Sequence, residues 1–124
     1  MNANQQEYIC LCTLPRVQDK IREEMGGPIP GDWLLSKEGK PVLVITCSNN
    51  TGLIRLPQVH DWQNPERGLW KWLNWKEWNV TGIGKNGEIR LVNYKNGATV
   101  VYATPELALL HALCRQWGIE EEKG

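Results

Sequence analysis

With 124 residues and 14.2 kDa, the chain has room for one domain with its own core, so neither a disulfide framework nor a structural metal is required to hold it. Apolar residues make up 41% and charged residues 23%, which excludes a disordered chain. Fourteen Lys and Arg balance fourteen Asp and Glu, and residues 33–103 at +4 against −2 on either side are too mildly segregated for a phosphate-backbone binder, so sequence-specific nucleic acid is not expected as a partner.

No apolar run is long enough for a membrane span and residues 1–7 are polar, so membrane partners are excluded and a cytoplasmic location is expected. Cys10, Cys12, Cys47 and Cys114 fit that compartment as free thiols. Residues 1–7 and 120–124 read as frayed ends of a single globular domain over 1–124. Tyr8 to Cys12 reads either as a short strand or as the lead-in to a helix.

Leu14, Val17, Ile21 and Met25 recur at helical spacing and define an amphipathic helix. Thr13 serves as its expected N-cap, Pro15 sits in the first turn, and Gly26 closes it before Pro28 and Pro30. Trp33 to Leu35 and Pro41 to Cys47 flank Lys37-Glu38-Gly39-Lys40 and read as a hairpin. The unbroken apolar run Val42 to Ile45 predicts a strand buried on both faces in the middle of a sheet. Ser48 to Gly52 is turn chemistry, and Leu53 to Leu56 forms a third strand that Pro57 stops.

Two Asn-Gly pairs, Asn86-Gly87 and Asn96-Gly97, separate Val80 to Ile83, Glu88 to Tyr94 and Ala98 to Ala103. Asn-Gly supplies two positive φ angles, so a meander with tight turns is expected. Thr104-Pro105-Glu106 then opens a helix that runs to about Trp117, with a Schellman ending at Gly118 and Ile119. The fold class is α+β: a mostly antiparallel sheet with an N-terminal and a C-terminal helix packed on it. Its expected core includes Val17, Ile21, Val42, Val44, Leu91, Val100, Leu107 and Leu110.

Four of the seven tryptophans, Trp70, Trp72, Trp75 and Trp78, lie within nine residues. Their period fits neither a helix nor a strand, and a short helix or turn feeding a strand from about Trp75 reconciles the spacing. Four indole N–H groups cannot all find partners in one small core, so at least one ring is expected to be exposed. Interleaved with Arg67, Lys71 and Lys76, the rings would form a platform for a partner protein, or for a nucleotide whose phosphates Arg55, Lys71 or Arg90 would neutralise. With no Phe in the chain, the competing reading is that the indoles mainly fill the core.

Cys10, Cys12, His111 and Cys114 could supply four zinc ligands if the chain ends met, but C-x-C is not a zinc-knuckle spacing, and no cofactor is expected. His60-Asp61 lacks a neighbouring nucleophile and reads as a loop histidine, so no enzymatic activity is expected.

Leu14-Pro15-Arg16-Val17-Gln18-Asp19-Lys20-Ile21 and Ala103-Thr104-Pro105-Glu106-Leu107-Ala108-Leu109-Leu110 resemble the two helical ends of small phage and prophage accessory proteins, among them the phage α-β-α sandwich domain proteins. The resemblance implies an accessory product of a mobile element, and it brings no catalytic residue with it. The expected function is therefore non-enzymatic binding, an anti-defence protein occupying and inhibiting a host protein or protein complex. The alternative is a sponge for a nucleotide-derived signal such as a cyclic nucleotide or ADP-ribose, and association into a homo-oligomer is compatible with either.

Overall fold

A computed structural model describes residues 2–44, 54–85 and 87–119. The expected strand residues 45–47, the turn at 48–52, Leu53, Asn86 of the first Asn-Gly pair and the acidic tail from residue 120 lie outside them. The chain is α+β, with terminal helices and, among the described residues, two antiparallel sheets of three strands each. Helix α1 (Ala3–Cys12) and helix α2 (Pro15–Met25) are followed by strands β1 (Trp33–Leu35), β2 (Pro41–Leu43) and β3 (Ile54–Leu56). A 3₁₀ turn (Pro65–Arg67) and the one-turn helix α3 (Leu69–Trp72) lead to β4 (Trp78–Ile83), β5 (Ile89–Asn93), β6 (Thr99–Tyr102) and helix α4 (Pro105–Trp117).

The first residues are ordered as helix because Asn2 caps it. Its side chain accepts from the Gln5 N–H at 2.8 Å, while the Gln5 side chain accepts from the Asn2 N–H at 3.3 Å, satisfying two donors that a bare helix start leaves open. Tyr8 to Cys12 is accordingly helical. Thr13 closes α1, its hydroxyl donating to the Cys10 carbonyl at 2.7 Å, and the N-cap of α2 is Leu14, which makes no side-chain capping bond. Since α1 continues to Cys12, the two helices share a two-residue link and Thr13 falls to the first of them.

Val17, Ile21 and Met25 turn inward from α2, and Gly26 ends it at φ 71°. The buried Gln18 beside them behaves like a strand residue. It donates to the Cys12 carbonyl at 2.6 Å and the Arg55 carbonyl at 2.9 Å, and it accepts from the Arg55 N–H at 2.8 Å. One side chain thereby pairs backbone groups that β3 would otherwise leave open.

In the first sheet the order is β2-β1-β3, and Leu34 of the central strand faces Val42 on one side and Arg55 on the other. The expectation of a central strand at Val42 fails here: among the described residues β2 lies beside β1 alone, and Val42 is 41% exposed. A continuous apolar run marks a strand buried on both faces only when a neighbour pairs along each edge. Val44, just beyond it, is buried, and its N–H bonds to the Asp32 carbonyl at 2.8 Å.

The second sheet is the expected meander, β4-β5-β6, with a bulge between Val80 and Gly82. Its second turn differs from the expected tight form. Gly97 has φ 72°, and no residue other than glycine has positive φ among those described. The Asn93 side chain instead accepts from the N–H groups of Lys95 and Asn96, and this Asx closure supports a wider loop without a left-handed Asn96.

Helix α4 is the centre of the core. Every residue from Leu107 to Cys114 is buried, because α1, α3, β5 and β6 all pack on it, so apart from His111 this stretch is apolar on all sides rather than along one stripe. Thr104 accepts from the Leu107 N–H at 3.3 Å as the expected N-cap. At the other end Gly118 is left-handed and the Ile119 N–H reaches the Cys114 carbonyl at 2.8 Å, completing the Schellman ending.

Burial divides the thiols. Cys12 and Cys114 are buried and Cys10 is exposed, and desolvation pushes the Cys12 thiol well above its usual range, which suppresses the reactive thiolate. Brief alkylation at neutral pH followed by peptide mapping should modify Cys10, whereas Cys12 and Cys114 should react only after unfolding. Equal labelling of Cys10 and Cys12 in the folded protein would contradict this packing.

Candidate binding cleft

Between β3 and α3 the chain makes a polar loop, residues 57–64, that is fixed by backbone at its base and by a side chain at its tip. At the base, the Leu69 N–H donates to the Gln58 carbonyl and the Trp70 N–H to the Val59 carbonyl, both at 2.9 Å. These bonds satisfy amides of the first turn of α3 that have no partner within the helix. Gly68 makes the approach feasible, because a Cβ there would lie 2.9 Å from the His60 Cα and from the Val59 carbonyl oxygen. At the tip, the Asp61 carboxylate accepts from the Gln63 N–H at 3.0 Å and the Asn64 N–H at 2.9 Å, an Asx turn.

This loop presents Trp62, which is 87% exposed and meets His60 edge to face at 4.4 Å. Beside it opens a cleft of about 770 Å³, bounded by the loop, the first half of α1, β1, the end of β3 and the start of α4. Trp33, 38% exposed, and Tyr8 add two more rings, and Leu56, Pro57 and Ile9 supply apolar wall. Asn2, Asn4, Gln5 and Gln58 bring amide groups, and Glu106 contributes a carboxylate. The Tyr8 hydroxyl donates to the Pro57 carbonyl. Burial above all, with the negative field of Glu106, holds that phenol well above its usual pKa, so it stays a neutral donor. No Lys, Arg or Asp is among the described residues lining the cleft. The site can stack, exclude water from and hydrogen-bond a ligand, and it offers one negative charge.

None of the eight residues expected to bind from sequence lines this cleft. Trp78 is in the core. Trp72 is buried, with its indole N–H on the Glu66 carbonyl at 2.9 Å. Trp70 and Trp75 lie against each other with ring centroids 4.4 Å apart and planes tilted by 39°, and the Trp75 indole N–H donates to the Trp70 carbonyl at 2.8 Å. Trp70 alone of the four is exposed, at 41%. Four indoles do not form one platform because α3 lasts a single turn and the chain then turns at 75–77 before entering β4.

The cations are likewise dispersed. Arg55 is buried, donates to Asp32 at 3.1 Å and to the Gly26 carbonyl at 2.5 Å, and is drawn below its usual pKa by burial against the opposing pull of Asp32. Arg67 donates to the same Asp32 oxygen and to the Met25 carbonyl. Both guanidiniums therefore serve the C-terminal carbonyls of α2, where positive charge is favoured, and neither is free for a phosphate. Lys71 lies 3.6 Å from Glu66 on the surface, and Arg90 lines a shallow hollow on the outer face of the second sheet beside Glu88 and Ile83.

Cys10, Cys12, His111 and Cys114 do not assemble into a ligand set. His111 stacks on Tyr102 with ring centroids 3.8 Å apart and lies 3.6 Å from Glu7. Among the described residues no group of three or more His, Cys, Asp or Glu is placed to hold a metal, and no helix is long and apolar enough to cross a membrane.

Sequence reasoning missed Trp33, Trp62, Tyr8 and Glu106 as site residues and read His60 only as a loop histidine. Trp62 carried a usable signal: an indole between Asp61 and Gln63, in a stretch with no apolar periodicity, has nothing local to bury against. No family model matches the chain, and neither a curated protein nor a solved structure matches it.

Proposed function

We propose that the chain acts by binding, without turnover, and that the cleft beside Trp62 grips a segment of a partner protein. The observation that carries this reading is Trp62 itself, 87% exposed on a loop fixed at base and tip. A large apolar ring held in water by a built loop contributes nothing to the fold, whereas Trp is prominent among residues that dominate protein interfaces. The cleft volume also falls within the range of occupied ligand sites, roughly 300 to 1,000 Å³. Taken with the resemblance of the helical ends to phage accessory proteins, the partner is a protein of a bacterial host, met in its cytoplasm and inhibited by occupation. Nucleotide sequestration is the weaker reading, because Arg55 and Arg67 are engaged by Asp32 and neither Lys71 nor Arg90 reaches the cleft.

The test compares Trp62→Ala with Trp70→Ala in affinity capture from host lysate. A host protein retained by the unaltered chain should be lost with Trp62→Ala, at a cost of about 2 kcal/mol or more in affinity, and kept with Trp70→Ala. Stability of the Trp62→Ala protein should stay within about 0.5 kcal/mol. Retention by Trp62→Ala, or a nucleotide copurifying with the unaltered chain in native mass spectrometry, would overturn the reading.

A further inference from the structure

The polar inventory of the cleft narrows its occupant. Four rings, Tyr8, Trp33, Trp62 and the His60 imidazole, and one carboxylate, Glu106, line a space that no Lys or Arg among the described residues lines. An aromatic face is electron-rich and attracts a cation, most strongly over indole, and a guanidinium can lie flat on such a ring while its edge N–H groups reach a carboxylate. A phosphate or carboxylate ligand would meet Glu106 and find no Lys or Arg among the described residues that line the cleft. The first turns of α1 and α4 also reach the cleft, and helix starts favour anions. However, the Asn2 and Thr104 side chains already accept from the Gln5 and Leu107 amides, Pro105 has no N–H, and Glu106 sits in the first turn of α4. The balance favours positive charge.

We propose that the cleft selects an arginine side chain on the partner segment, stacked on the Trp33 and Trp62 rings and paired with Glu106. This rests on the cleft being the binding site, and the experiment separates the two ideas. Acetylated, amidated Ala-Arg-Ala is titrated into the full chain alongside the citrulline peptide, which keeps the shape and loses the charge, and the corresponding Glu peptide. The readout is the indole N–H signals of Trp33 and Trp62, assigned from Trp→Phe variants.

The arginine peptide should shift both signals and bind about fivefold or more tightly than the citrulline peptide, as expected for a cation–π contact reinforced by an ion pair. Glu106→Gln should reduce that difference to the share left by the cation–π contact, and an unfolding midpoint close to that of the unaltered chain excludes a destabilised helix as the cause. Equal binding of arginine and citrulline peptides, or preference for the Glu peptide, would overturn arginine selection and leave the cleft as a peptide site. If no peptide moved either indole at about 10 mM, well above the concentration that a millimolar contact requires, the binding cleft would fall together with its selectivity.

Discussion

Replacing Asp32 by Asn should destabilise the protein by about 3–5 kcal/mol, the cost of stranding a buried charge by removing its partner. One oxygen of Asp32 receives Arg55 at 3.1 Å, Arg67, and the Ile29 N–H at 3.0 Å. Asp32 and Arg55 are buried, and Arg67 is nearly so. An amide keeps the volume and one acceptor but removes the negative charge, leaving two guanidiniums to face each other with only neutral acceptors, the amide oxygen, the Met25 sulfur and the carbonyls of Met25, Gly26 and Gly27. Neither Arg55 nor Arg67 has a partner for its Nε among the described residues, so the cluster has no spare acceptor to absorb the loss. Urea unfolding should show the midpoint lowered with the slope unchanged. Adding Arg67→Met to Asp32→Asn should recover part of the deficit, since one of the two repelling cations is gone. A loss below about 1 kcal/mol would mean that water reaches the cluster and screens it.

Trp78→Ala should also cost about 3–5 kcal/mol, as large aromatic truncations in packed cores do, and thermal or urea unfolding will measure it. Trp78 is 2% exposed and packs within the core cluster that includes Leu91, Leu110 and Leu113. Its indole N–H has no hydrogen-bond partner among the described residues, an arrangement that leaves a donor unsatisfied at about 1–3 kcal/mol. Trp78→Phe should therefore cost far less than the alanine change, because losing the orphaned N–H offsets much of the smaller ring's lost contact. Phe and Ala variants of equal stability would show that packing contributes little at this position.

Most of what the sequence revealed was local chemistry. Thr104-Pro105-Glu106, the Gly118-Ile119 ending and the Val17, Ile21, Met25 stripe each act through neighbours within about one turn, and the structure places all three as expected. Asn2 is equally local, and its capping box with Gln5 was there to be read, but polarity at a chain end masked it. Long-range pairing was less legible. Whether Val42 lies inside depends on whether β3 pairs with the outer edge of β2 or with β1, and β3 pairs with β1, its Arg55 facing Leu34, the partner of Val42. The division of strands into two sheets is decided the same way. The cleft was illegible for the strongest version of that reason, since Tyr8, Trp33, Trp62 and Glu106 come from four separate elements. Clustering in sequence pointed instead to Trp70, Trp72, Trp75 and Trp78, where proximity along the chain produced mutual burial.

The clamp at the base of the 57–64 loop is made by backbone groups of Gln58, Val59, Leu69 and Trp70, and it does not depend on which side chains stand at positions 58, 60 or 62. Glycine at 68 is the fixed requirement, because its space is filled by main chain. On the proposed function, the loop side chains free to recognise a partner, at 58, 60 and 62, differ from the groups that hold the loop, the backbone clamp and Asp61. Successive single substitutions at positions 58, 60 and 62, with Asp61 and Gly68 kept, would on that proposal redirect the protein toward a partner that has changed its own surface while the loop stays built. That is the arrangement that suits a binder whose target is under pressure to escape it.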